Sequence, residues 1–243
     1  MKTVLILGAT SDIGRALASK FASNSYNIQL AARSIQDLIS IRSDIKIRFG
    51  VECDCYAFNA EEFYSHELFW KSLSARPDIS IVVFGNMFEQ QACLHDWDLT
   101  LKTIQVNYTG VASILNIIAR SYKERKAGTI ICISSVAGLR GRSSNFIYGS
   151  AKAALIAYLS GLRNELYHND VHVMTVLPGF VFTKMTDNLQ LPKFLTATPD
   201  EVARDVYRAF LKKKNIVYTK WIWKWVMLII RLIPESIFKK LNL

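Results

Sequence analysis

Tyr148 and Lys152 stand four residues apart in YGSAK, and Ser135 lies thirteen residues before the tyrosine, at the end of the apolar run TIICISS. On a helix that spacing is one turn, so the Lys152 ammonium is expected beside the Tyr148 phenol, and a neighbouring positive charge lowers a phenol's pKa from about 10. A phenol so tuned can give its proton to a carbonyl oxygen while hydride arrives at the carbon. Ser135 is placed to hydrogen-bond the same oxygen and fix its orientation. A Tyr and a Lys at this spacing also occur on ordinary, partly exposed helix faces, so the weight comes from what accompanies them.

The first apolar run ends in LILGATSDIGR, with Gly8 at its exit, Thr10, Ser11, Asp12 and Ile13 in the turn, and Gly14 opening the next helical stretch. Small residues there let the backbone approach a pyrophosphate, and the free N–H groups of a helix start favour its charge. Tight turns use Gly for steric reasons as well. The second run, NIQLAARS, ends without the acidic residue that would hold a ribose 2′-hydroxyl. Arg33 and Ser34 stand there instead, and a guanidinium in that place pairs with a 2′-phosphate, which favours NADP(H) over NAD(H); the alternative is a solvent-facing arginine. Asn59 and Ala60 are placed to flank an adenine ring, and Ala31, Phe84 and Gly85 to line the same cleft, although such residues at strand ends also serve plain packing.

These groups need elements to hold them. Strand-like runs alternate with helical patterns: TVLILGA, NIQLAAR, CYAFNA, ISIVVFG, TIICISS and VHVMTVLPG are separated by helical stretches, among them a long one from about Trp97 to Lys126 and one from about Tyr148 to Tyr167. Near-continuous apolar strands in such alternation predict an α/β fold, a doubly wound parallel sheet of Rossmann type with its ligand at the carboxyl ends of the strands. With 243 residues and 51% apolar content, one domain is expected over residues 1–215, followed by an amphipathic tail over 216–243. The start reads as the first strand of that domain rather than as a cleaved signal.

In its motifs the chain resembles the short-chain dehydrogenases/reductases from Met1 to about Phe210. The matches are YGSAK (Tyr148, Lys152), ISSVAG (Ser135), QVNYTG (Asn107) and LPGFVFT (Pro178, Gly179, Val181, Thr183), in the family's order. The resemblance implies an oxidoreductase in which Asn107 holds a water relay from Lys152 to solvent. It implies too that the Pro178–Thr183 loop contacts nicotinamide and phosphates, and that the chain forms a homodimer or homotetramer. Two departures stand out. In the family's TGxxxGxG turn, Leu7 replaces the Thr and Asp12 the middle Gly, which puts a carboxylate near a pyrophosphate unless it turns away, for instance as a helix N-cap. The family's NNAG is VVFG here, so packing must do what side-chain amides do elsewhere.

Charge is uneven: from Arg204 onward ten Lys and Arg against Asp205 and Glu235 account for +8 of the net +10. The tail YTKWIWKWVMLIIRLIPESIFKKLNL has an apolar stretch, Trp221 to Ile233, too short to span a bilayer. On a helix Lys220, Lys224 and Arg231 fall within about 40° of each other and leave an apolar face with Trp221, Trp223 and Trp225. That pattern predicts a helix lying on an anionic membrane surface; packing against the domain or a dimer partner is the other reading. The tail, GATSDIG and NFIYGS also resemble reductases of a polyprenyl-phosphate-linked 2-keto-pentose in cell-envelope synthesis, with Arg140 and Arg142 as candidates to hold the phosphate. A soluble or acyl ketone is a second possible substrate, and a non-catalytic NADP(H)-binding membrane module a third reading. The four cysteines form no CxxC and no zinc-type spacing with His, so reduced thiols in a cytoplasmic setting and no metal are expected, with the tail placing the protein peripherally on the inner membrane face. Basic residues sharing a helix with Trp and Ile do not make a nucleic-acid surface.

Overall fold

The computed structural model describes residues 1–187 and 191–241. Seven parallel strands form one sheet in the order β3-β2-β1-β4-β5-β6-β9. They are β1 (Thr3–Leu7), β2 (Asn27–Ala32), β3 (Cys53–Ala57), β4 (Ile79–Val82), β5 (Gly128–Ile133), β6 (Val171–Pro178) and β9 (Ile216–Thr219); β7 (Phe180–Val181) pairs with β8 (Thr196–Ala197) in a small second sheet. Side chains alternate across a strand, so β1 sends Val4 and Ile6 into one apolar layer and Leu5 and Leu7 into the other. Helices α1 (Asp12–Ala22), α2 (Gln36–Phe49) and α8 (Pro199–Leu211) cover the first layer. The opposite layer is covered by α3 (His66–Ser72), α6 (Gly110–Arg125) and α7 (Phe146–Leu166). Burial on both faces is what makes the strands read as unbroken apolar runs. The expected doubly wound sheet is therefore present, and its strand order reverses between β1 and β4.

Three differences from the sequence reading concern the site. The single helix expected from Trp97 to Lys126 is two, α5 (Trp97–Ile104), which follows a short α4 (Gln90–His95), and α6; a π-helical turn, Gln105–Thr109, joins α5 to α6. Such a turn adds a residue to one helical cycle and is invisible in apolar periodicity. It carries Asn107 fully buried. Next, β9 pairs with β6 in parallel from Thr175↔Ile216 to Pro178↔Thr219, so the division drawn after residue 215 runs through the sheet. Finally, α9 (Ile222–Leu232) and α10 (Glu235–Phe238) are docked: Trp223 and Met227 of the amphipathic α9 bury against Val136 and Leu177 and Phe238 of α10 is buried, while Trp221 and Trp225 stay exposed. The tail's last two residues lie outside the described residues. Among the described residues, no helix is long and apolar enough to cross a membrane.

Candidate active site

Two adjoining chambers, of about 350 Å³ and about 160 Å³, open at the carboxyl ends of the strands and share Ile13, Val83, Phe84, Gly85, Thr183 and Met185 as walls. The larger lies at the switch point between β1 and β4, where a doubly wound sheet leaves a crevice. Gly8, Thr10, Ser11 and Asp12 form its floor. Gly8 adopts φ +95°, and a Cβ there would stand 2.6 Å from the Phe84 backbone nitrogen, so only glycine closes this turn on the next strand. Ser11 caps α1, accepting from the Gly14 N–H at 3.0 Å. Gly14 packs behind the turn rather than lining the cleft; a Cβ on it would meet the Gly8 carbonyl at 2.5 Å.

Asp12 is not the N-cap that the sequence suggested. Its carboxylate does turn away from the turn, but it crosses the cleft and accepts the Lys184 backbone N–H at 2.9 Å, a contact between residues 172 apart in sequence. The residue that replaces the family's glycine thus ties the phosphate-side turn to the Pro178–Thr186 segment. Asp12→Ala should raise the KM for the nucleotide about two- to tenfold, the worth of one net hydrogen bond, with little change in kcat. Asp12→Asn, which keeps an acceptor, should restore it. Trypsin cleavage after Lys184 reads the same event directly: an unchanged cleavage rate in Asp12→Ala would show that the contact does not hold the segment.

Arg33, Asn59 and Ala60 line the rim of the larger chamber beside Phe58 and Phe84, whose rings lie tilted against each other at 5.5 Å. Arg33 is exposed and forms no ion pair among the described residues. Two expectations are corrected here. Ser34 lies outside the chamber lining, and Ala31 is fully buried, its carbonyl accepting the Gly8 and Ala9 N–H groups; Ala32 takes the lining position. Turning the chain out of β2 sends alternate residues away from the rim.

The smaller chamber holds Ser135, Tyr148 and Lys152, together with Pro178, Gly179 and Val181. β5 delivers Ser135, whose Oγ accepts the Ala137 N–H at 3.1 Å, and the first turns of α7 deliver the other two. Gln90 Oε1 accepts the Ile147 N–H at 3.1 Å, which fixes the start of that helix. The Lys152 Nζ lies 5.6 Å from the centre of the Tyr148 ring and 3.5 Å from the Ile133 carbonyl, to which it donates. The expectation that Lys152 depresses the phenol's pKa is not met. Burial pushes the Tyr148 phenol up to about 12, against a hydrogen bond with Ser135 that lowers it. Burial likewise pushes the Lys152 ammonium down to about 8. Desolvation disfavours whichever form is charged, and it is the dominant influence on both groups in this chamber.

Asn107 lines neither chamber. It stands behind Lys152, its Nδ2 donating to the Asn86 carbonyl, the Asn86 Oδ1 and the Thr103 carbonyl at 2.7–2.9 Å. Its Oδ1 is buried and unpartnered. A Cβ on Gly85 would fall 2.7 Å from that oxygen and 3.4 Å from the Lys152 Nζ, so the glycine keeps clear the gap a relay would use.

The two arginines separate. Arg140 is occupied by the tail: it donates to the Glu235 carboxylate at 2.6 Å and to the Arg231 and Ile233 carbonyls, and its guanidinium lies 4.1 Å from the centre of the Phe238 ring. It is a clamp on α9 and α10, not a phosphate ligand. Arg142 lines the Tyr148 chamber, with its Nε buried and unpartnered and its guanidinium pKa lowered by burial. Asn145, not foreseen from sequence, lines the same wall and its Oδ1 is buried and unpartnered too.

A parallel sheet with a crevice at its switch point and a Ser, Tyr and Lys gathered beside it defines a nucleotide-dependent oxidoreductase. Residues 2–193 match the family described as short chain dehydrogenase. An uncharacterized oxidoreductase of Mycobacterium tuberculosis is 29% identical over 241 residues, 98% of this chain and 96% of that one. The 3-oxoacyl-[acyl-carrier-protein] reductase of Aquifex aeolicus is 30% identical over 222 residues, 84% of this chain and 88% of its own. Among solved structures, a short-chain dehydrogenase from Sphingobium yanoikuyae in complex with NADPH superposes with a TM-score of 0.83 at 22% identity, over 94% of this chain and 92% of that one. The chain belongs to the short-chain dehydrogenase family and is an NAD(P)-dependent oxidoreductase of that family.

Proposed function

We propose that the protein is an NADPH-dependent reductase of a keto group carried on a polyprenyl-phosphate-linked or related glycan sugar, acting in cell-envelope synthesis at the inner face of the membrane. The observation that carries the substrate reading is the pair Arg142 Nε and Asn145 Oδ1, a donor and an acceptor both buried and unpartnered on the wall beside Tyr148. Leaving such groups unmatched costs about 1–3 kcal/mol each, which a ligand with a phosphate and a hydroxyl recovers. The resemblance of WVMLIIRLIPESIFKKL, GATSDIG and NFIYGS to decaprenylphosphoryl-2-keto-ribose reductase points to the same chemistry.

The residues fit NADPH. Gly8 to Gly14 offer the pyrophosphate a glycine turn at a helix start, and Arg33 stands free at the rim for a 2′-phosphate. Asn59 and Ala60 lie where an adenine would be flanked, and the Pro178–Thr183 loop borders both chambers. When bound, the cofactor supplies the hydride. Ser135 then orients the substrate oxygen and the protonated Tyr148 phenol gives it a proton. Lys152 steadies the phenolate so formed, and Asn107 links Lys152 to water.

The test is NADPH consumption with a polyprenyl-phosphate 2-keto-pentose beside NADH. Arg33→Ala should lose at least about tenfold in kcat/KM with NADPH and little with NADH, as expected for one charge-assisted contact. Arg142→Ala should raise the KM for the lipid-linked substrate and leave turnover of an uncharged ketone unchanged. A second reading, reduction of an acyl ketone, is favoured by the likeness to the Aquifex acyl-carrier-protein reductase. No turnover of the lipid-linked sugar, with turnover of a 3-oxoacyl thioester, would select it.

A further inference from the structure

Away from both chambers, α8, β9 and the start of α9 enclose a groove of about 480 Å³. Arg204 and Arg208 reach into it from successive turns of α8, Lys212 and Lys214 from its end, and Lys220 from the turn after β9. Two carboxylates share the groove, and both are engaged by backbone. Glu201 accepts the Thr198 N–H at 2.8 Å, and Asp205 accepts the Lys220 N–H at 3.2 Å. Among the described residues, none of the five cations is in an ion pair. Five cations against two carboxylates leave the concavity net positive, which raises the local potential and which an anion relieves.

Trp221, 74% exposed, forms one edge of the groove and begins a second feature. From it Trp225, Leu228, Ile229 and Leu232 follow at helical spacing along the outer side of α9, exposed by 51%, 45%, 64% and 73%. The inner side, Trp223 and Met227, is buried in the domain, so the stripe is not a detached helix waiting to fold back. A contiguous apolar stripe on a docked helix needs a partner. Continuity with a cationic groove selects which one. A second copy of the chain would bring the same net-positive groove against itself, and a nucleic acid has no use for the stripe. A bilayer bearing anionic lipid satisfies both, phosphates in the groove and the stripe among the acyl boundary.

We propose that the groove lined by Arg204, Arg208, Lys212, Lys214 and Lys220 binds the headgroup phosphates of anionic lipids and so seats the outer face of α9 on the membrane. The site shares the membrane location with the function proposed above but uses none of the cleft residues, so either can fail alone.

The experiment uses the full-length protein in vesicle co-flotation, with phosphatidylcholine alone and with phosphatidylcholine containing phosphatidylglycerol. The protein should bind the anionic vesicles at least tenfold more tightly, with affinity falling as NaCl rises, a readout that requires no variant. Arg204→Ala/Arg208→Ala/Lys212→Ala should abolish the preference, and Trp225→Ser/Ile229→Ser should weaken binding to both vesicle types. Melting temperature and NADPH titration of each variant establish that fold and cleft are intact. Equal binding to neutral and anionic vesicles, or an undiminished preference in the triple variant, would overturn the proposal. So would inorganic phosphate raising the melting temperature through these arginines in a protein that ignores vesicles, which would make the groove a site for free anions.

Discussion

Tyr148→Phe is expected to lower kcat by about 10²–10⁴-fold while NADPH still binds, because the substitution deletes the phenolic oxygen and with it the proton placed on the chamber wall beside Ser135. Nucleotide titration and single-turnover hydride transfer separate the two quantities; a variant that turns over within a few-fold of the parent would remove Tyr148 from the chemistry. The pH profile carries a second signature. A phenol held near 12 stays protonated throughout the neutral and mildly alkaline range, so it does not set the limb there. Lys152, held near 8, does: as pH rises through that value the ammonium that receives the new phenolate disappears, and reduction slows. A rate independent of pH between about 7 and 10 would contradict this assignment. Stability runs the other way. An unfolded lysine keeps its proton to about 10.5, the buried one releases it near 8, and between those values the unfolded chain binds more protons. Lys152's contribution to stability therefore rises with pH across that window and is constant below it.

Trp223→Ala should be the most damaging change in the tail. The indole is 3% exposed, its Nε1 donates to the Leu195 carbonyl at 2.9 Å, and its ring meets Phe180 edge-on at 5.1 Å. Truncating a core tryptophan costs about 3–5 kcal/mol, which for a domain of this size is a fall in Tm of roughly 6–20 °C. Activity should suffer with it. A Cβ on Gly179 would stand 1.9 Å from the indole, so this ring is the surface against which the Pro178–Val181 loop of the cleft is laid. Calorimetry beside kcat/KM checks both parts. A Tm lowered by only a degree or two would mean that α9 is held by other contacts and that the loop keeps its shape without it.

These two sites differ in how plainly the chain announces them. Ser135, Tyr148 and Lys152 follow from short-range spacing, since one strand end and one helical turn fix their separation, and the strands are legible because parallel pairing buries both faces. Asn107 is marked by a motif, yet the π-turn that buries it leaves no mark on the helical period. β9 reads as tail because IVYT, only four residues long, sits among lysines and its partner β6 ends 38 positions earlier. Asp12 with Lys184, Arg140 with Glu235 and Trp223 with Gly179 are contacts between distant segments, and no local pattern encodes a partner so far along the chain. Arg140 and Arg142 make the point most directly: two residues apart, one clamps the tail and the other faces the chamber.

The position of β9 in the sheet also orders events at the ribosome. Its neighbour β6 is made well before it, and the crossover through α8 must be complete before the two can pair. Residues 1–178 therefore emerge with one edge of the sheet bare and with Gly179 lacking the indole that shapes its loop. Unpaired strand edges in a partly made chain invite association with other chains. A nascent chain of this protein therefore keeps that edge exposed until β9 has emerged and paired with β6.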